Sequence, residues 1–176
     1  WPVALTWGAI DLLPTTHPLN VGAFGTHAHR MPNFVVQNAD FLLTIGTRLD
    51  TKATGTPAES FARAAEILMV DIDSAEIAKF GRRVKGLNMD CREFFQTFHV
   101  EHSPVPAWWA QVKRWAMRWP VPFTGPCAHV QALSGAFGEG DIIVSDTGHA
   151  LAWCMQAFVF KENQRFIHAF NNTPMG

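Results

Sequence analysis

The chain has 176 residues, 48% of them hydrophobic and 16% charged, which supplies a buried core and argues against a disordered chain. Fourteen Lys and Arg against fifteen Asp and Glu give a formal charge of −1, so a general polyanion-binding surface and a nucleic-acid partner are not expected. The longest apolar runs, such as residues 41–45, fall far short of the roughly 20 residues that span a bilayer, so no membrane partner is expected either.

The size suits one domain, or one domain plus part of another. The chain opens on Trp1-Pro2 with no Met, which marks it as an expected piece of something longer. No charged segment followed by an apolar one opens it, so nothing points to secretion. Cys91, Cys127 and Cys154 are widely spaced and odd in number, which argues against a disulfide framework and for a reducing, cytoplasmic compartment. His27-Ala28-His29 is the one spacing that suggests a metal. With no Cys or carboxylate at ligand spacing beside it, hydrogen-bonding or ligand-lining histidines are the better reading.

In chain order, residues 2–6 form a short apolar run closed by Gly8 and predict a buried strand. Residues 8–30 show neither helical nor strand period and predict a long functional or ligand-wrapping loop. Strands are expected at 41–45, 66–71 and 84–89. Between and after them, Ser74 is expected to cap a helix over 75–80, and Asp90 one over 91–98. Strands without clean alternation, separated by helical stretches, indicate a parallel sheet covered on both faces. Residues 99–106, with two prolines, mark a linker. Over 107–119, Trp108, Val112, Trp115 and Trp119 fall on one side and Lys113, Arg114 and Arg118 on the other, which predicts an amphipathic helix whose tryptophans pack into a core. A second unit follows, with a helix at 128–137, a strand at 141–145, a turn at 146–149, a helical stretch to 158 and a strand around 166–167. The expected division is 1–98, a linker with its helix over 99–125, and 126–176.

In open parallel sheets ligands bind beyond the carboxyl ends of the strands. Three such ends carry chemistry here: Gly46-Thr47-Arg48-Leu49-Asp50, Asp71-Ile72-Asp73 and Asp146-Thr147-Gly148-His149. Gly46 permits close backbone approach, Arg48 suits a phosphate, and Asp71 stands where a ribose hydroxyl is accepted. Neither G-x-G-x-x-G nor a Walker A pattern occurs. Two readings therefore stay open, a nucleotide site or a turn glycine with surface ion pairs at Arg48 and Asp71.

The series Thr6-Trp7, Leu13-Pro14, His17-Pro18, Gly22, Gly25-Thr26-His27, Asn33, Gln37-Asn38-Ala39-Asp40, Gly46-Thr47-Arg48 and Val70-Asp71-Ile72-Asp73 resembles the middle domain of thiamine-diphosphate enzymes, and most of all the acetolactate synthases. The later DIIVSDTG at 141–148, Trp153 and NNTPMG at 171–176 resemble the start of that family's diphosphate-binding domain. The resemblance implies an α/β fold: a parallel-sheet, Rossmann-like middle domain incomplete at its N-terminus, followed by the first part of a thiamine-diphosphate-binding domain. It implies decarboxylation of a 2-oxo acid such as pyruvate and transfer of the resulting carbanion to an acceptor carbonyl, by a homodimeric or homotetrameric parent. Another decarboxylase or carboligase of the superfamily, a non-catalytic nucleotide-binding module, and a structural spacer are the alternatives.

Residue by residue, the resemblance places FAD or another nucleotide on Phe24, Gly25, Thr26 and His27, on Gly46, Thr47, Arg48, Asp50 and Lys52, on Asp71 and Ile72, and on Asp90 and Cys91. Lys52 stands where the acetolactate synthases have Arg, keeping the charge without the two-pronged fork. Some family members leave this pocket empty. Gly148, His149 and Met175 are implied contacts of thiamine diphosphate, with His149-Ala150 departing from the usual Gln-His. The catalytic Glu and the magnesium ligands are expected outside these residues, so the chain alone is expected to be inactive.

Overall fold

The computed structural model describes residues 1–99, 104–121, 124–170 and 172, and its strands form three small parallel sheets. β1 (Val3–Leu5) pairs with β2 (Asn20–Ala23). After α1 (Arg30–Gln37), β3 (Phe41–Ile45), β4 (Glu66–Asp71) and β5 (Val84–Asn88) lie side by side in that order. α2 (Thr51–Thr54), α3 (Ser74–Ala78) and α4 (Cys91–Thr97) connect or follow these strands. β4 is central, and its Ile67, Met69 and Val70 are buried because parallel strands are covered on both faces. This is the α/β arrangement that the apolar runs predict.

The region expected as a loop over 8–30 carries more structure than its sequence shows. It holds a 3-10 turn (Trp7–Ala9) at its start and β2 within it, and α1 begins at its end. Side-chain bonds rather than periodicity shape it: Asn20 Nδ2 donates to the Leu13 and Pro14 carbonyls at 3.3 and 3.0 Å, and Asn20 Oδ1 accepts from the Gly22 N–H at 2.7 Å. Two caps also differ from expectation. Asp73, not Ser74, caps α3, its carboxylate accepting from the Ala75 N–H at 2.8 Å. α2 was not expected, and it forms because Asp50 caps it through the N–H groups of Lys52 and Ala53, both at 3.0 Å.

α5 (Pro106–Arg118) follows the predicted amphipathic stripe. Its Val112 is buried against Val21 and Val35, with Trp108, Trp109 and Trp115 packed around them. Trp119, just beyond the helix, meets Phe34 with ring centres 4.3 Å apart. α6 (Pro126–Ser134) starts and ends earlier than predicted, since Gly125 at φ +56° turns the chain into a proline at the first helical position.

β6 (Ile142–Ser145), α7 (His149–Ala157) and β7 (Arg165–His168) complete the described chain. Their core of Ile143, Leu151, Met155, Phe158, Phe160 and Phe166 also takes in Trp7 and Ile10. The early segment is sewn to this late one by Asp11, whose Oδ2 accepts from Arg165 Nε at 2.9 Å and from the Phe166 N–H at 2.8 Å. Thr15 adds two bonds to the Phe160 backbone, at 3.0 and 2.9 Å.

Arg83 shows how a surface charge closes the first core. Its guanidinium donates to the carbonyls of Ala58, Phe61 and Ala62, fixing the connection before β4. Arg83→Ala leaves these carbonyls short of donors and is expected to cost about 2 kcal/mol in a denaturant titration. Arg83→Lys, a point charge without the fork, should recover only part of that loss.

Candidate functional site

β3 runs into Gly46, whose N–H donates to the Val70 carbonyl of β4 at 2.9 Å. The backbone there has φ +60°, and a Cβ at this position would stand 3.1 Å from Cys91 Sγ. The turn from Gly46 to Ala53 is then held by the Asp50 cap and by buried Leu49. The 24–27 segment lies against this turn. Thr26 N–H donates to the Lys52 carbonyl at 2.8 Å, and Asn33 clamps Gly25 through bonds to its N–H and carbonyl at 2.8 and 3.0 Å.

Between this turn, the Thr6–Gly8 segment and the exit of β7 lies a cleft of about 420 Å³. Gly46, Thr47, Arg48, Asp50 and Lys52 line it, so one of the three predicted strand ends forms a wall as a unit. Trp7, His168 and Phe170 line it as well. Trp7 meets Phe170 with ring centres 4.7 Å apart and His27 at 5.3 Å. His168 Nε2 lies 3.2 Å from the Trp7 carbonyl, which makes that nitrogen the donor. Among the described residues, its Nδ1 is buried without a hydrogen-bond partner.

The cations of the cleft differ in state. Arg48 Nε donates to Glu76 Oε1 at 3.0 Å and Nη2 forms an ion pair with the same oxygen at 3.0 Å, while Lys79 pairs with the other carboxylate oxygen. The hydrogen bond from Lys79 first, then that from Arg48, holds the Glu76 carboxyl below its ordinary range. Lys52 has no side-chain partner among the described residues. The ion-pair reading of the sequence thus describes Arg48 but not Asp71.

Of the other predicted residues, none that the structure describes lines the cleft. Phe24 turns its ring into the core, stacked on Phe61 with centres 6.1 Å apart. The carbonyl of His27 accepts from Gln156 Nε2 at 2.7 Å. Asp71 is buried at the end of β4, its Oδ1 accepting from the Asp73 N–H at 2.9 Å, and Ile72 beside it is exposed. Asp90 caps α4 through the Arg92 N–H at 2.7 Å. Cys91 lies behind Gly46, and burial, followed by the Asp90 and Asp71 charges, pushes its thiol up from the ordinary value. Gly148, at φ +74°, precedes the first residue of α7, and His149 stacks on Trp153 with ring centres 5.7 Å apart. Met175 lies outside the described residues. Among the described residues, no three His, Cys, Asp or Glu side chains converge as metal ligands.

Trp7, His168 and Phe170 are the wall that sequence reasoning did not assign to the site. A faint signal exists for His168, which shares a strand face with buried Phe166 by the two-residue period. None exists for its pairing with Trp7.

A phosphate-bearing ligand with a flat ring suits this chemistry. Two cations, a glycine turn, an indole and a phenyl ring share the lining of the cleft.

Comparison with known proteins identifies the family. Residues 1–98 match the family described as thiamine pyrophosphate enzyme, central domain. The large subunit of acetolactate synthase isozyme 1 from Escherichia coli (strain K12) is 29% identical over 183 residues, covering 99% of this chain and 32% of the relative. Acetolactate synthase 2, chloroplastic, from Nicotiana tabacum is 26% identical, covering 99% of the chain and 28% of the relative. The acetolactate synthase large subunit of Corynebacterium glutamicum is also 26% identical, covering 99% and 30%. The chain spans about a third of the length of these curated relatives. It belongs to the thiamine pyrophosphate enzyme family through its central domain, and is similar to the acetolactate synthases.

Proposed function

We propose that the chain is the nucleotide-holding part, and the start of the diphosphate-binding part, of an enzyme that decarboxylates a 2-oxo acid such as pyruvate and passes the two-carbon unit to an acceptor carbonyl. The observation that carries this reading is the joining of Gly46, Arg48 and Lys52 with Trp7 and Phe170 in one cleft, in a chain similar to acetolactate synthases along 99% of its length. In this reading the cleft holds FAD. Lys52 and Arg48 meet its phosphates, the Gly46 turn lets the ligand approach the backbone, and Trp7 and Phe170 offer apolar faces to a ring. Asp71 and the 90–91 turn shape the neighbouring strand ends.

Thiamine diphosphate, when bound, supplies the electron sink for the carbanion. On this chain, the N–H groups at the start of α7 beyond Gly148 suit a diphosphate, since unsatisfied N–H groups at a helix N-terminus favour anions. His149 is a further donor there, and Met175 is assigned the apolar support of the cofactor. The catalytic Glu and the magnesium ligands belong to other parts of the parent, a cytoplasmic homodimer or homotetramer in this reading. Among the described residues no helix is long and apolar enough to cross a membrane.

The test compares pyruvate consumption by the parent protein and by this chain alone, with thiamine diphosphate and magnesium supplied to both. Turnover by the parent only is expected. An inactive parent that still binds FAD points instead to a nucleotide-binding module. At the cleft, Lys52→Ala should weaken FAD binding about tenfold, the size of one charge-assisted contact, in an equilibrium titration. Lys52→Arg restores the fork and should bind at least as tightly as wild type.

A further inference from the structure

We propose that Glu76 is a positioning residue of the cleft, holding the Arg48 guanidinium by its Nε edge so that its Nη1 end stays available to an anionic ligand. The proposal rests on the nucleotide reading of the cleft and names what that reading leaves unexplained: how an exposed arginine is kept in place.

The Arg48 side chain is 66% exposed, and a free arginine of that kind carries about 2 kcal/mol of rotamer entropy that binding would have to remove. Glu76 removes part of it beforehand. Its side chain is only 16% exposed, it sits in the first turn of α3, and α3 is fixed to the end of β4 by the Asp73 cap. One carboxylate oxygen accepts from Nε and is ion-paired with Nη2 of Arg48, and among the described residues Nη1 makes no hydrogen bond or ion pair. The fork that recognises phosphate therefore keeps donors to offer.

The charge balance supports the same role. Lys79, one turn further along, pairs with the second Glu76 oxygen. Arg48, Glu76 and Lys79 together carry a net single positive charge, so the carboxylate orients the guanidinium without cancelling it toward the cleft. Glu76 is not part of the cleft lining, whereas Arg48 is. It acts through Arg48, not on the ligand.

The experiment measures the dissociation constants of FAD and of ADP for the parent protein, for Glu76→Ala, Glu76→Gln and Arg48→Ala, and for the Glu76→Ala/Arg48→Ala double variant. Glu76→Ala is expected to weaken both ligands about fivefold, within the usual range of coupling between contacting groups. Glu76→Gln, whose amide oxygen still accepts from Nε, should recover most of that loss. In the Arg48→Ala background, removing Glu76 should change affinity less than twofold, a result that a merely structural role would not give. Unchanged or tighter binding by Glu76→Ala would overturn the proposal and make the carboxylate a competitor of the ligand. An equal loss with and without Arg48 would also overturn it. If wild-type protein binds neither probe, the nucleotide reading itself falls and this assignment with it; binding that ignores Glu76 sinks only the latter.

Discussion

Gly25→Ala is expected to cost about 3 kcal/mol of stability and most of the FAD affinity, through two additive effects. Gly25 has φ +118°, which an L side chain adopts only under strain. The new Cβ would also fall 2.5 Å from the Lys52 carbonyl oxygen, a backbone atom that cannot swing aside. Relief requires the 24–27 segment to lift from the 50–53 turn, which breaks the Thr26-to-Lys52 bond and loosens the Asn33 clamp. Lys52 then loses its fixed place at the cleft. Gly8→Ala is the control: it also lines the cleft, yet a Cβ there meets nothing within 4 Å. Thermal melts should separate the two, with Gly8→Ala within about 0.5 kcal/mol of wild type. A Gly25→Ala protein as stable as wild type would mean that the loop is not clamped to the turn.

Trp7→Ala is the second large effect, expected at about 4 kcal/mol from the lost burial and the cavity left behind. Trp7 is 8% exposed and belongs to the same cluster as Leu151, Phe158 and Phe166, so its ring fastens the start of the chain to its last strands. It is also the aromatic wall of the cleft, against Phe170 and His27. Trp7→Phe keeps an apolar ring and should recover more than half of the stability while leaving FAD affinity measurably reduced. The bond from His168 reaches the Trp7 carbonyl, so it survives either substitution in a folded protein. Equal melting temperatures for Trp7→Ala and wild type would remove Trp7 from the core.

What the sequence makes legible follows the range of the interactions concerned. β3 and β4 are evident because a run such as Phe41 to Ile45 has to be buried wherever it lies, and the glycine, arginine and aspartate after it mark a turn by their local chemistry. β2 is a four-residue strand shaped by the Asn20 side chain, and no periodicity over four residues announces it. The Asp73 cap fell one residue from its expected place because Asp and Ser compete equally well for that position. The far wall of the cleft is hidden for a different reason. It depends on Asp11 meeting Arg165 and Phe166, and on Trp7 meeting His168, across more than 150 residues of chain. No local pattern encodes such a pairing; only the fold does. The Phe24 ring teaches the converse: its place in a series that resembles a ligand loop did not reveal that it packs on Phe61.

The most direct measurement is an equilibrium titration of the purified parent protein with FAD, followed by flavin fluorescence and by the melting temperature. One flavin bound per chain, a melting temperature that rises with FAD concentration, and a weaker complex in Arg48→Ala and Lys52→Ala are the predicted result. A colourless protein whose melting temperature is unmoved by saturating FAD would contradict the assignment of the cleft.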